Sequence, residues 1–186
     1  MRQAILIAAL LVHILPAFAQ DEPDPELIAL LRQAASEVDS FPDHFDAQVW
    51  LTDMSARLEP QVGDPAERVE LLKRIHFEAK RAELPPELVL AVIDIESNFD
   101  RYAISVAGAR GLMQIMPFWL DEIGRPDDNL MHIDTNLRFG CTILKYYMDM
   151  EKGDLIRALG RYNGSLGQQK YPNKVLERLH LKWFRA

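Results

Sequence analysis

One cysteine, Cys141, is all the chain has, so no disulfide can close within it. It sits in the apolar run Phe139 to Leu144, where a buried small hydrophobe is expected rather than a nucleophile. Export without disulfides suits a bacterial periplasm better than a small disulfide-stapled scaffold. Histidine is scarce too. His44, His76, His132 and His180 include no pair at metal-ligand spacing on one helix, so each is expected to pack or lie at the surface. Asp127-Asp128-Asn129 lacks the glycine and terminal glutamate of a calcium loop. No dinucleotide or phosphate-loop motif, internal repeat, low-complexity tract or heptad array is present, and strand signals are few. Basic excess is also missing: the net charge is −7, which argues against a nucleic-acid reader.

What is present begins with an address. Arg2 gives a small positive n-region, Ala4 to Leu15 an apolar h-region, and Ala17-Phe18-Ala19 a cleavage site, followed by Gln20-Asp21-Glu22. The apolar run is short for a membrane span. Residues 1–19 are therefore expected to be a cleaved signal peptide, with no cysteine nearby for a lipid anchor. The charge then divides the remainder. Residues 20–70 carry 13 acids and 3 bases, and residues 71–186 carry 15 acids and 17 bases. We take 20–70 as an acidic helical extension, a candidate docking segment for a protein partner, and 71–186 as the main domain. At 48% hydrophobic the chain can bury a sizeable core.

The pattern is all-helical or nearly so. A helix is expected from Pro25, with Leu27, Leu30, Leu31 and Ala34 on one side. A second spans 43–58, with Phe45, Val49, Trp50, Met54 and Leu58 as its inward stripe. Asp64-Pro65-Ala66-Glu67 is a helix start, and that helix runs to about Ala82. Pro85 and Pro86 open another, from Glu87 to about Ser97. Residues 101–110 read as a loop or small irregular hairpin. Helices are expected over 112–124, 134–150, 154–162 and 171–184, the last with Val175, Leu179 and Trp183 on one face.

The stretch 84–117 is the chemical centre. The helix 87–97 is apolar nearly all the way round, which means burial, and Glu96 closes it. A desolvated carboxyl has a raised pKa and can donate a proton to a leaving oxygen. Helix pattern alone weighs this evenly against a surface glutamate at a helix end. Asp94, two residues away, points elsewhere, and an ion-pair role is favoured for it.

Glu96-Ser97-Asn98-Phe99, Ser105, and Gly108-Ala109-Arg110-Gly111-Leu112-Met113-Gln114-Ile115-Met116-Pro117 resemble the soluble lytic transglycosylase family of peptidoglycan-cleaving enzymes. Arg161-Tyr162-Asn163-Gly164 resembles its third motif, usually A-Y-N-A-G. The resemblance covers about residues 71–175. It implies a mainly α, lysozyme-like (goose-type) domain with a substrate groove and no cofactor. It also implies cleavage of the β-1,4 bond between N-acetylmuramic acid and N-acetylglucosamine to a 1,6-anhydro product. Glu96 then acts as the single acid and base, and the sugar's own acetamido group replaces the usual second carboxylate.

By motif position, Ser97, Ser105, Gln114, Met116, Tyr162 and Asn163 bind substrate. For Ser97 a helix-terminus hydrogen bond stands equally open. The usual A-Y-N-A-G-P-G is Arg161 to Gly167 here, without the proline. Arg161 either meets a carboxylate of the substrate or pairs with a neighbouring acid. Two rival readings remain: a hydrolase akin to goose-type lysozyme, using Asp100, Asp121 or Asp134 as second carboxylate, and a non-catalytic wall-binding scaffold.

Overall fold

A computed structural model of the chain describes residues 43–184. The signal segment and the helix expected from Pro25 lie outside the described residues. Seven α-helices follow in order: α1 (His44–Leu58), α2 (Pro65–Arg81), α3 (Pro86–Glu96), α4 (Trp119–Ile123), α5 (Ile133–Met150), α6 (Leu155–Tyr162) and α7 (Lys170–Arg178). A π-helical turn, Leu179–Trp183, extends α7. Among the described residues there is no strand, only two isolated antiparallel bridges, Ile104 to Arg110 and Arg110 to Ile115. The mainly helical expectation holds.

Helix starts follow the capping residues. The Asp43 carboxylate accepts from the Phe45 and Asp46 amides at 2.8 and 2.9 Å. Asp64 accepts from the Glu67 amide at 2.7 Å, with Pro65 in the first turn. Each cap satisfies amides that the helix itself leaves without partners. Helix α3 has no side-chain cap and relies on Pro85-Pro86 and on burial. Leu88 to Ile93 are all at most 3% exposed, so α3 forms the axis of the core. At about 1.5–3 kcal/mol per buried aliphatic side chain, packing outweighs the modest helix propensity of its Val and Ile residues.

Helix α1 belongs to this core. Ala47, Leu51, Met54 and Leu58 are its buried row, while Phe45 and Val49 are exposed. The expected stripe through Phe45 and Val49 is thus corrected by rotation about the helix axis. The rotation has visible anchors. The Trp50 indole donates to Glu87 Oε1 at 2.7 Å and meets the His76 ring edge-on, with centroids 4.9 Å apart. The Arg57 guanidinium donates to the Lys182 carbonyl. Helix α2 runs without a break through residue 70, and its buried Arg68 donates to Ser55 Oγ and to the Val62 carbonyl. Residues 43–70 and 71–184 therefore share one set of packing contacts.

Residues 112–118 are the second departure. A helix was expected over 112–124, but only Trp119–Ile123 is helical. Gly111 and Gln114 have φ of +73° and +50°, values a right-handed helix does not admit. Paired hydrogen bonds between Arg110 and Ile115, both 2.9 Å, hold the segment as a turn.

Candidate active site

Glu96 is the last residue of α3, and the chain turns sharply beyond it. Asn98 and Phe99 both lie in the left-handed region, with φ of +49° and +67°. Two successive non-glycine residues there cost about 1–2 kcal/mol each. The side chain of Phe99 offsets part of this. It is buried against Trp183, with ring centroids 5.5 Å apart. The strain leaves the Glu96 carboxyl at the end of an apolar rod instead of out in solvent.

Three helices pin the turn that faces this point. From α3, the Ser97 hydroxyl donates to the Leu112 carbonyl at 2.8 Å, and its own-helix acceptor, Ile93 O, lies 3.3 Å away. From α5, buried Asn136 accepts from the Met113 amide and donates to the Arg110 and Leu130 carbonyls, each at 2.8 Å. From α6, the Tyr162 hydroxyl donates to the Met113 carbonyl at 2.8 Å. Gly111 makes room for this staple: a Cβ there would sit 2.4 Å from Asn136 Nδ2 and 2.7 Å from the Leu130 carbonyl. Gly140 does the same for Met113, whose Sδ would lie 2.2 Å from an added Cβ. Within the turn, Gln114 Nε2 donates to the Gly111 and Ala103 carbonyls at 2.9 and 3.2 Å. Ser105 Oγ accepts from the Ala109 amide at 3.0 Å and closes its own loop.

The Glu96 carboxyl opens onto a cleft of about 300 Å³ lined by Asn163, Ser165, Gln168, Lys170 and Tyr171. Among the described residues it is the single acid in that lining. The Tyr171 hydroxyl donates to Glu96 Oε1 at 2.6 Å. Burial raises the Glu96 pKa, and the Tyr171 hydrogen bond partly opposes that rise. Burial, with the Glu96 charge added, pushes the Tyr171 and Tyr162 hydroxyls well up, so both remain donors.

Of the residues singled out in the sequence, Glu96 and Asn163 share this cleft. Ser97, Ser105, Gln114 and Tyr162 have their polar groups engaged with backbone of the turn, and Met116 is half-buried beside it. Asp94 is buried and accepts from Lys182 Nζ and Trp183 Nε1, both at 3.1 Å. Arg161 settles in favour of the neighbouring acid, since it pairs with Glu151 alongside Arg157. Asp100, Asp121 and Asp134 lie outside the cleft lining. Asp134 is paired with Arg74, and Asp100 accepts from the Tyr102 amide.

Two site residues escaped the sequence reading. Tyr171 is a lone aromatic in the polar helix α7, four residues before buried Val175. That spacing marks it as inward-facing. Asn136 is a polar residue on the buried face of α5, one residue before Leu137 and four before Gly140. A buried amide in such a row demands partners.

The family model of the transglycosylase SLT domain matches residues 73–179, more than half of the chain. The chain belongs to the SLT transglycosylase family. The chain is 32% identical over 105 residues to a transglycosylase of Enterobacteria phage PRD1, covering 53% of this chain and 38% of that protein. It is 49% identical over 39 residues to the membrane-bound lytic murein transglycosylase C of Actinobacillus pleuropneumoniae serotype 5b (strain L20), covering 21% of this chain and 11% of that protein. The chain thus spans well under half the length of these relatives. Among solved structures, an inactive mutant of lytic transglycosylase Slt from Pseudomonas aeruginosa matches with a TM-score of 0.46 and 24% identity, over 87% of this chain and 32% of that one. The 70-kDa soluble lytic transglycosylase of Escherichia coli matches with a TM-score of 0.45 and 23% identity, over 86% and 26%.

Proposed function

We propose that this SLT domain is a lytic transglycosylase that cuts the β-1,4 bond between N-acetylmuramic acid and N-acetylglucosamine in peptidoglycan, with Glu96 as its one acid and base. The observation that carries the reading is the Glu96 carboxyl, held toward its protonated form by burial and alone among acids in its cleft. The protonated carboxyl gives its proton to the glycosidic oxygen as the bond from that oxygen to C1 breaks. The acetamido oxygen of the same sugar stabilises the positive charge left at C1. The Glu96 carboxylate then takes the proton of the 6-hydroxyl while O6 bonds to C1. The proton returns to where it began, and no water enters.

Tyr171 orients the carboxyl and remains protonated through both steps, which suits a hydrogen-bond donor to a group that alternates between charged and neutral. Asn163 lines the same cleft and, in this reading, contacts the sugar. Ser105, Gln114 and Met116 contact substrate in this reading on the strength of their motif positions. Ser97 and Tyr162 serve it by fixing the 112–114 turn. A hydrolase on this scaffold needs a second carboxylate on the far side of the sugar, several ångströms from Glu96. The ion pair of Asp134 and the positions of Asp100 and Asp121 favour the water-free route. In this proposal residues 1–19 are a secretory leader that sends the enzyme to the periplasm, where peptidoglycan lies.

Mass spectrometry of muropeptides released from purified peptidoglycan by residues 20–186 tests the assignment. Anhydromuramic ends that vanish with Glu96→Gln are the expected result. Reducing ends in their place would identify a hydrolase. Release of neither by the wild-type protein would favour a binding scaffold.

A further inference from the structure

Asp94 is a buried carboxylate that takes no part in the Glu96 cleft. Residues two apart in a helix point about 200° apart, so Asp94 and Glu96 leave α3 on nearly opposite sides. Asp94 Oδ2 accepts from Lys182 Nζ and Trp183 Nε1, both at 3.1 Å. Arg178 Nε lies 3.7 Å from Oδ1. Lys182 Nζ also sits 4.4 Å from the centroid of the Trp183 ring, so cation, indole and carboxylate form one cluster. A buried carboxylate carries a desolvation cost that its ion pairs seldom outweigh. What this one holds in place is therefore the informative part.

It holds Trp183, a fully buried indole that reaches the chain on both sides of Glu96. On the near side Nε1 donates to Asp94. On the far side the ring packs on Phe99, with centroids 5.5 Å apart, where the backbone has φ of +67°. Trp183 thus bridges the two ends of the segment 94–99, and Glu96 lies within it. The same stretch of chain carries Tyr171. Helix α3 touches both α7 and the π-helical turn. The chain therefore passes round the end of α3, from the Tyr171 hydroxyl on Glu96 to the Trp183 indole on Asp94. Helix α7 has no side-chain cap at its first turn. The end that bears Tyr171 depends on packing and on the anchor at the other end.

We propose that Asp94 is a positioning residue: through Trp183 it fixes the end of α3 against α7 and so sets where the Tyr171 hydroxyl meets Glu96. This deepens the function proposed above and rests on it for the part Glu96 plays. The titratable groups that share the Glu96 cleft are Lys170, Tyr171 and Lys174 of α7, and Tyr162 of α6 feels the Glu96 charge. Burial and the Tyr171 hydrogen bond shift Glu96. Asp94 therefore acts on it through packing and not through its own charge.

Carboxyl titration of Glu96 by carbon NMR in residues 20–186, assigned with Glu96→Gln, reads this contact without relying on activity. Asp94→Leu removes the acceptor, and Lys182 and Arg178, with side chains 19% and 44% exposed, can turn to water. Glu96 in this variant should titrate at higher pH than in wild type, by the shift that Tyr171→Phe produces, because the opposing donor is out of register. The double variant should titrate as Tyr171→Phe alone, since two changes on one path do not add. Asp94→Asn keeps an oxygen for the indole and should stay near wild type. Trp183→Phe keeps a ring on Phe99, deletes the N–H and should follow Asp94→Leu; it decides the matter where Asp94→Leu does not fold. On peptidoglycan, kcat for anhydro-ended products should fall about tenfold in Asp94→Leu with KM little changed. A Glu96 titration that stays at its wild-type position in Asp94→Leu or Trp183→Phe, or shifts that add in the double variant, overturns the proposal and leaves Asp94 as an ion pair that only stabilises the fold. Asp94→Asn behaving as Asp94→Leu overturns the route through Trp183. Absence of anhydro products from the wild-type protein overturns the function proposed above, and the titration still decides the role of Asp94.

Discussion

Burial holds the Glu96 carboxyl above its ordinary 4.5, while the Tyr171 hydroxyl pulls the other way. The folded protein therefore binds this proton more tightly than the unfolded chain. Its stability falls as pH rises from 4.5 through the folded pKa, because ionisation inside the cleft is penalised. Glu96→Gln removes that penalty. We predict that the variant has a higher Tm than wild type at neutral pH and loses the advantage below 4.5, read by thermal unfolding across pH. Tyr171→Phe acts on the same group in another way. Without the donated hydrogen bond the Glu96 pKa rises further, so the alkaline limb of the pH–rate profile moves upward. At its optimum the variant should lose about tenfold in kcat/KM, because the carboxyl is no longer oriented. An alkaline limb that stays in place in Tyr171→Phe would count against Glu96 as the proton donor.

The elements around the site were legible in the sequence to an uneven degree. The helices expected from about residues 43, 64, 87 and 154 start at His44, Pro65, Pro86 and Leu155, each within one residue. Residues 112–118 failed because their conformation is set by distant partners. Leu112 and Met113 have good helix propensity, but Ser97, Asn136 and Tyr162 claim their backbone groups. Tertiary hydrogen bonds override a weak local preference. The terminal helix was right in its buried face, Val175 and Trp183, and missed the change to a π-helical turn that brings Trp183 onto Asp94. The staple gives this scale its own prediction. Asn136→Ala leaves the Met113 amide and the Arg110 and Leu130 carbonyls without their side-chain partner. The expected loss is about 3 kcal/mol, a fall in Tm of about 10 °C. A drop in kcat should accompany it at temperatures where the protein stays folded.

Across the whole molecule, the motifs that reveal the chemistry span a shorter length than the packing that supports it. The family match begins at residue 73, yet Ala47, Leu51, Met54 and Leu58 lie in the same core as α3. Nothing in the charge contrast at residue 70 could show this, because charge reports the surface while the apolar row of α1 reports the interior. We predict that Leu51→Ala costs about 2–5 kcal/mol and that a chain beginning at residue 61 unfolds at a lower temperature than one beginning at residue 43. Thermal unfolding of the three proteins checks both statements. Equal Tm values for the two truncations would show that α1 contributes nothing to the core.

The order in which the site is assembled has a consequence in time. Glu96 is made midway through the chain, but its hydrogen-bond donor is Tyr171, and the ring that packs against Phe99 belongs to Trp183. A chain that emerges N-terminus first therefore carries its acid for many residues before that acid has a seat. Until residues 171–183 arrive, Glu96 lacks its Tyr171 donor and Phe99 lacks the Trp183 ring it packs against. Synthesis must pass residue 183 before the Glu96 seat described above can close.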